Sequence, residues 1–475
     1  MIRMAPRDAT MFWLSRRSVN DVFLLYAFAE TEAATEELRD FVAARSARIP
    51  DLRIRLQEIP GNLDYPFWIS SEFASQQFVA QRPDGSDWRG VLARIGELLG
   101  TGVVATEHPW RVHVFRGVRA VPGTAGPVLV VVLQLSHALA DGTRAAGIAR
   151  ALFGPAEVVH SHSGESVDNL RNTRVRPAKT LAQAVDSCGQ IWGWSTGTLP
   201  ARVRGALRFP QQLVTTAWRG RAAHLAQREL ADRTAAGEVP AAATGFAPAL
   251  INPSTPIDRA AHRVHLHVVD AGSLRIPGHT VTVVALTVIS SALSDYLAER
   301  GEHRARLGTA LPMAIPADGS ARNNYRGLSI DLHIDEPDLS TRATLIAAEL
   351  AVRRERAMNP LLAVQDRVGE TVPAMFAAQD VARADLDNVP PALDGNTVVS
   401  SVNRGAADLA FAGAPVLFTG GFPALGTVMH LTHGVHGIGE TITLSVHSDA
   451  NAVPDPDRYL DLLTASLTTV VAALR

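Results

Sequence analysis

The run of aliphatic residues from Val128 to Leu135, in which Gln134 is the one polar residue, predicts a strand that is buried on both faces at the centre of a sheet. Residues 112–118 also predict a strand. The segment EAATEELRDFVAARSARIPDL predicts a helix, since its acids come early and its arginines late, and TRAAGIARALFG predicts another. Residues 1–155 therefore predict one mixed α/β domain.

Residues 246–475 show the same kind of pattern. VTVVALTVISSALSDYLAERG predicts one long, largely buried helix, and DPDRYLDLLTASLTTVVAAL predicts a closing amphipathic helix. Four segments predict strands, the last two as a hairpin: NTVVSSVNRG, APVLFTG, TVMHLTHGVHG and ETITLSVHSD. Residues 156–245 hold polar patches and weak helices interrupted by Gly and Pro. We therefore expect two α/β domains, 1–155 and 246–475, joined by a long helical crossover.

Composition and charge narrow the functional classes. The 475 residues suffice for two domains, and a net charge of −2 does not suit a nucleic-acid binder. Cys188 is the single cysteine, which fits a reducing compartment. The N-terminus lacks a signal-peptide pattern, and we expect no stretch of the roughly 18 apolar residues that a membrane-spanning helix needs. These features predict a cytoplasmic protein without a nucleic-acid partner.

Three candidate functional residues follow the strand predicted at 128–135. His137 continues the phase of its apolar face, so it should be partly buried, and burial favours the neutral imidazole that can accept a hydroxyl proton. Asp141 begins the next helix, and Gly142 leaves room for a substrate. A purely structural interpretation stays open, with a core histidine, a helix cap and a turn glycine.

The segment SHALADG (136–142) resembles the H-H-x3-D-G motif of the bacterial wax ester synthase/diacylglycerol acyltransferases, relatives of chloramphenicol acetyltransferase and of peptide-synthetase condensation domains. Other segments are similar to this family in the same order: PRDATMFWL, HPWRVHVF, SSVNRGAADLAFAGAPVLFTGGFP, VMHLTHGVHG and HSDANAVPDPDRY. The resemblance covers most of the chain. It implies an α/β fold of two chloramphenicol acetyltransferase-like domains, each a mixed sheet flanked by helices, with the active site at their interface.

The resemblance also implies roles for individual residues. The catalytic residues would be His137, as general base, and Asp141, which would hold the loop by pairing with an arginine. The residues expected where CoA and substrate approach are Ser136, Gly142, Ser401 and Asn403, the last two as donors to an oxyanion. No metal is implied, and acyl-CoA is a co-substrate in place of any bound cofactor.

Three departures from the family pattern bear on activity. Ser136 replaces the first His of the motif, Thr282 and Val283 stand where the family has an Asn-Asp pair, and Arg404-Gly405-Ala406 replaces a Pro-Gly-Pro ending. These changes leave open a divergent substrate or a degenerate, non-catalytic member that binds lipid.

Two further motifs have weaker chemical interpretations. Gly193–Gly197 matches the G-x-S-x-G elbow of hydrolases with Ser195 as nucleophile, but no buried strand precedes it, so a linker turn is favoured. His430, His433 and His436 have no carboxylate or cysteine nearby in sequence, and a structural role is favoured over a metal site. The histidines of the HSHS segment, 160–163, are assigned to the linker.

Residues 187–228 form a basic and aromatic segment. It contains six arginines and no acidic residue, and three tryptophans and a phenylalanine are interleaved with them. This composition suits contact with an anionic membrane surface, while packing against the domains is the alternative.

The sequence thus predicts an O-acyltransferase that transfers a long-chain acyl group from acyl-CoA to a lipid hydroxyl, giving triacylglycerol or a wax ester. The alternatives are an enzyme of the same fold with a carrier-protein donor or a non-lipid acceptor, and the degenerate lipid-binding member. The expected partners are acyl-CoA, a hydroxyl-bearing lipid and, through residues 187–228, either the inner face of a membrane or the surface of a lipid droplet.

Overall fold

The structure is a computed structural model that describes residues 1–82, 87–155, 199–316, 319–386 and 388–475. Its helices are α1 (Pro6–Ser15), α2 (Thr35–Ser46), α3 (Trp88–Leu99), α4 (Gly142–Phe153), α5 (Leu199–Ala235), α6 (Ala271–Leu274), α7 (Val281–Glu299), α8 (Leu339–Ala357), α9 (Pro360–Gly369), α10 (Ala374–Arg383) and α11 (Pro456–Leu474). Cys188, residues 160–163 and the segment Gly193–Gly197 with Ser195 lie outside the described residues.

The strands are β1 (Ile2–Arg3), β2 (Val22–Ala29), β3 (Ile54–Gln57), β4 (Phe67–Ser70), β5 (Phe78–Ala80), β6 (Trp110–Val118), β7 (Val128–Leu135), β8 (His262–Asp270), β9 (Gly308–Ala314), β10 (Tyr325–Asp331), β11 (Thr397–Asn403), β12 (Ala410–Phe411), β13 (Ala414–Phe422), β14 (Leu431–Ile438) and β15 (Thr441–Asp449). They form two six-stranded mixed sheets and a small antiparallel sheet of order β1-β4-β3. The prediction of a two-domain α/β architecture is confirmed.

The first sheet has the order β12-β13-β2-β7-β6-β5. Strand β7 covers the predicted run 128–135, and every one of its residues is buried. One face packs under α1, α2 and α4, and the other faces α3 and the second sheet. Because β7 is central, the chain that leaves its carboxyl end emerges from the middle of the molecule.

The second sheet has the order β10-β9-β11-β14-β15-β8, in which β9, β11 and β14 run parallel. Strands β14 and β15 form the predicted hairpin. Helices α7, α8 and α11 pack with this sheet around a second core. Strand β13 does not join it, because it pairs with β2 and completes the first sheet. The predicted domain boundaries at 155 and 245 place β13 in the second domain, and they do not predict that this strand pairs with β2.

The crossover differs from the sequence expectation. Where weak, interrupted helices were expected, residues 199–235 form one continuous helix of 37 residues, α5. It packs along α9, and Thr216 Oγ1 donates to the carbonyl of Thr371 at 2.7 Å. Tertiary packing of this kind can outweigh the low helix propensity of Gly and Pro.

Helix α7 is more apolar than the sequence analysis expected. Among the described residues it is the one helix long and apolar enough to span a membrane, with a mean hydropathy of 1.6. However, 67% of its apolar 18-residue window is buried, and the helix packs against α8 and α11. Its composition is that of a core helix covered on most sides.

Candidate active site

The turn after β7 is fixed by its backbone and by buried small residues. The Ser136 N–H donates to the carbonyl of Pro109 at 2.8 Å, and the Leu139 N–H donates to the carbonyl of Ser136 at 2.8 Å. Ser136 itself is buried. The serine that replaces the family's first His is therefore buried inside the turn.

His137 follows this turn and lies at the junction of the two sheets. Its Nδ1 is 2.8 Å from Oδ1 of Asn323, and its ring is 6.0 Å from the ring of Tyr325 at the start of β10. Burial lowers the pKa of His137, while hydrogen bonds to its own backbone and to Asn323 and the charge of Asp141 oppose this shift. The imidazole is therefore neutral near pH 7, as predicted for a general base.

Among the described residues, no arginine side chain pairs with Asp141. One carboxylate oxygen accepts the Arg144 N–H at 2.8 Å and so caps α4, and the other accepts the Asn324 N–H at 2.8 Å. The guanidinium of Arg144 turns to Asp51 instead. In place of the expected arginine, the N-cap position aims the carboxylate at backbone N–H groups of the described residues. Asp141 ties the motif loop to the second sheet.

Gly142 is the first residue of α4 and is exposed. A Cβ at this position would meet nothing within 4 Å, and its φ is not positive. Turn geometry therefore does not require a glycine here. The open space agrees with the interpretation that Gly142 leaves room for a substrate.

A segment that sequence reasoning missed completes the site: the pre-β10 segment, residues 319–324. Both oxygens of the buried Asp8 carboxylate accept the Arg322 N–H, and one also accepts the Asn323 N–H and side chain. Arg322 also pairs with Asp51 and lies over the ring of Trp68. Asp8 lies in the segment PRDATMFWL, whose resemblance to the family could have indicated a role for it. Asn323 gave none, because it reaches His137 only through domain packing.

The two proposed oxyanion donors lie on β11. The hydroxyl of Ser401 is 2.9 Å from the hydroxyl of Thr282, so a residue at the missing Asn-Asp position contacts it directly. Asn403 is exposed, and its Oδ1 accepts the Gly405 N–H at 2.9 Å. Among the hydrogen bonds of the described residues, none joins either side chain to His137. Their role in oxyanion binding stays a prediction.

Arg404, at one of the departures from the family pattern, is buried between the sheets. Its guanidinium contacts the ring of Tyr26 and donates to the hydroxyl of Thr419. Burial lowers its pKa. This arginine therefore fastens the end of β11 to the first sheet.

The three late histidines have separate structural roles. His430 Nδ1 lies 2.7 Å from Asp449, a carboxylate that is remote in sequence. His433 contacts Tyr459 in the core of the second sheet, and burial lowers its pKa to about 3. His436 faces Arg404 on the other side of β14, and burial lowers its pKa as well. In the described part of the chain, no three His, Cys, Asp or Glu side chains cluster as metal ligands.

Comparisons with known proteins show which family the chain matches. The family model of the wax ester synthase/diacylglycerol acyltransferase catalytic domain matches residues 4–246, and that of the C-terminal domain matches residues 323–470. No curated protein matches the chain by sequence.

Solved structures share the fold at low identity. The wax ester synthase/diacylglycerol acyltransferase from Marinobacter aquaeolei VT8 is 16% identical, with a TM-score of 0.61 over 98% of both chains. The starter condensation domain of rhizomide synthetase RzmA is 12% identical, with a TM-score of 0.56 over 100% of this chain and 94% of that one. The TRI3 trichothecene 15-O-acetyltransferase from Fusarium sporotrichioides is 13% identical, with a TM-score of 0.53 over 100% and 95%.

The fold is thus that of the two-domain chloramphenicol acetyltransferase-like proteins, a class of acyltransferases and condensation domains. Within this class, the chain belongs to the wax ester synthase/diacylglycerol acyltransferase family.

Proposed function

We propose that the protein is an O-acyltransferase that moves a long-chain acyl group from acyl-CoA to the hydroxyl of a lipid, either diacylglycerol or a fatty alcohol. The observation that carries this proposal is the neutral, half-buried His137 with Nδ1 engaged by Asn323. A base held in this way has its other nitrogen free for an acceptor hydroxyl.

The proposed reaction needs no covalent acyl-enzyme. Nε2 of His137 takes the proton of the hydroxyl as its oxygen attacks the thioester carbonyl. The tetrahedral intermediate then expels the CoA thiolate, and His137 returns the proton to sulfur. The products are an ester and free CoA, and acyl-CoA is a co-substrate, so no further cofactor is used. Ser401 and Asn403 are our candidates to donate hydrogen bonds to the oxyanion, which usually needs such donors.

The test is thiol release from long-chain acyl-CoA, with and without diacylglycerol or hexadecanol. We expect acceptor-dependent release that falls about 10²- to 10⁴-fold in His137→Ala, the usual contribution of a general base. The exposed His303→Ala serves as the matched control and should keep full activity. Release that needs no acceptor, survives His137→Ala and disappears in Ser195→Ala would indicate a hydrolase instead.

The alternatives are outcomes of the same experiment. If acyl-CoA is inert but an acylated carrier protein supports transfer, the donor is a carrier protein. If neither donor supports transfer to any hydroxyl while lipid still binds, the chain is a degenerate binding member. The preserved set of His137, Asp141 and Gly142 favours the enzyme.

We also propose that the protein works in the cytoplasm at the inner face of a membrane, with α5 as the contact. Val214 and Trp218 are each 71% exposed, and Leu225 lies on the same outward stripe of the helix. The exposed Arg221 and Arg228 flank this stripe, and the first acidic residue of the helix is Glu229. Aromatic and apolar side chains interleaved with arginine suit an anionic lipid surface.

Vesicle sedimentation tests this contact. We expect binding to vesicles that contain phosphatidylglycerol and weak binding to phosphatidylcholine alone. The double variant Trp218→Ala/Arg221→Gln should lose most of the binding. Val352→Ala/Arg354→Gln, which changes exposed residues on α8, is the control and should bind like the wild type. Equal binding by both variants would place the contact elsewhere.

A further inference from the structure

The side chain of Asn323 makes three hydrogen bonds that fix its orientation. Its Nδ2 donates to the carbonyl oxygen of His137 at 2.8 Å and to Oδ1 of Asp8 at 3.0 Å, while its Oδ1 faces Nδ1 of His137 at 2.8 Å. A carbonyl oxygen only accepts hydrogen bonds, so the amide nitrogen must be on that side. The amide oxygen therefore faces the imidazole.

This orientation determines where the histidine carries its proton. The amide oxygen of Asn323 only accepts, so Nδ1 of His137 must be the protonated nitrogen. Nε2 then carries the lone pair. Among the hydrogen bonds of the described residues, none occupies Nε2, which leaves it available to take a proton.

Asp8 holds Asn323 in place. Its carboxylate accepts the backbone N–H groups of Arg322 and Asn323 as well as the side chain of Asn323. Burial raises the pKa of Asp8, whereas these hydrogen bonds and the charge of Arg322 oppose that rise. Every one of these partners donates, and such an environment suits the ionised carboxylate.

We propose that Asn323 is a positioning residue that fixes the tautomer and orientation of His137, and that Asp8 anchors it. His137 comes from the first sheet and Asn323 from the segment that leads into the second, so the competent base exists only when the two are docked. This inference rests on the proposed function for the role of the base, while the tautomer itself can be measured without any substrate.

The decisive measurement is the pair of ring ¹⁵N shifts of His137 in the whole, substrate-free protein. The signals are assigned by their loss in His137→Ala. We expect the wild type to show protonated Nδ1 and unprotonated Nε2. Asn323→Ala should shift this pattern toward the other tautomer. It should also lower kcat by on the order of 10- to 100-fold with little change in KM, the scale for losing a group that orients a functional imidazole.

Asn451→Ala is the matched control. This exposed side chain donates to Oδ1 of Asp449 and is not among the residues around His137. Its removal should leave the ring shifts and kcat unchanged. A wild-type His137 protonated on Nε2 would overturn the inference, and this measurement does not depend on whether Asn323→Ala folds. Unchanged shifts and kcat in a folded Asn323→Ala would overturn it as well. Protonated Nδ1 in a wild type that transfers no acyl group would support the tautomer and refute the proposed function.

Discussion

Replacing Asp141 distinguishes a positioning role from a chemical one. The cap on the Arg144 N–H is worth about 1 kcal/mol, and a charged hydrogen bond to the Asn324 N–H about 1.5–3 kcal/mol. Asp141→Ala loses both, so its free energy of unfolding should fall by roughly 2.5–4 kcal/mol. Asp141→Asn keeps the cap, because asparagine caps helices as well as aspartate does, and should lose only the second contribution.

Activity should follow the position of the pre-β10 segment. Asn324 is the neighbour of Asn323, so a weakened bond to Asp141 disturbs the group that holds His137. We expect kcat to fall in Asp141→Ala and to fall less in Asp141→Asn. The assays are urea unfolding, followed by the midpoint and slope, and acceptor-dependent thiol release.

Asp338 provides the control, because it caps α8 through the Thr341 N–H and is exposed. Asp338→Ala should cost about 1 kcal/mol of stability and leave kcat unchanged. The reasoning is refuted if Asp141→Asn unfolds like the wild type and yet is as inactive as His137→Ala. The carboxylate would then act on the reacting atoms.

Three further predictions follow from single positions. Gly142→Leu should fold normally, since its Cβ meets open space, but should show reduced kcat/KM with acyl-CoA; normal kinetics would show that substrate does not pass there. Gly405 has a φ of +88°, so Gly405→Ala should lower the free energy of unfolding by about 1–2 kcal/mol in urea, and no loss would contradict the strain. Burial raises the pKa of Asp21 to about 7, so the folded state keeps a proton that the unfolded chain releases near pH 4. Stability should therefore fall as pH rises from about 4 toward 7, by up to about 4 kcal/mol. The Asp21→Asn side chain still accepts hydrogen bonds from Val103 and Gln134, so at pH 8 this variant should unfold at a higher urea concentration than the wild type. If its stability depends on pH as that of the wild type does, Asp21 is not the group that titrates.

The sequence by itself determined the elements whose environment is set by local pattern. Strand β7 is buried on both faces because every residue of its run except Gln134 is apolar, and α4, α7 and α11 follow from their periodicity. The motif residues follow from the same logic, because a strand end fixes where His137 must emerge.

Only the tertiary structure decided which strands and side chains connect the two halves of the chain. The segment 414–422 has the pattern of a strand in either sheet, and only its pairing with β2 assigns it to the first. Helix α5 is continuous because α9 supports it, which its Gly and Pro content does not predict. Asn323 lies 186 positions after His137, and nothing in the residues between them specifies that distance in space. Contacts of this kind depend on how two folded surfaces pack together, and that information is spread over both surfaces and absent from any single local pattern.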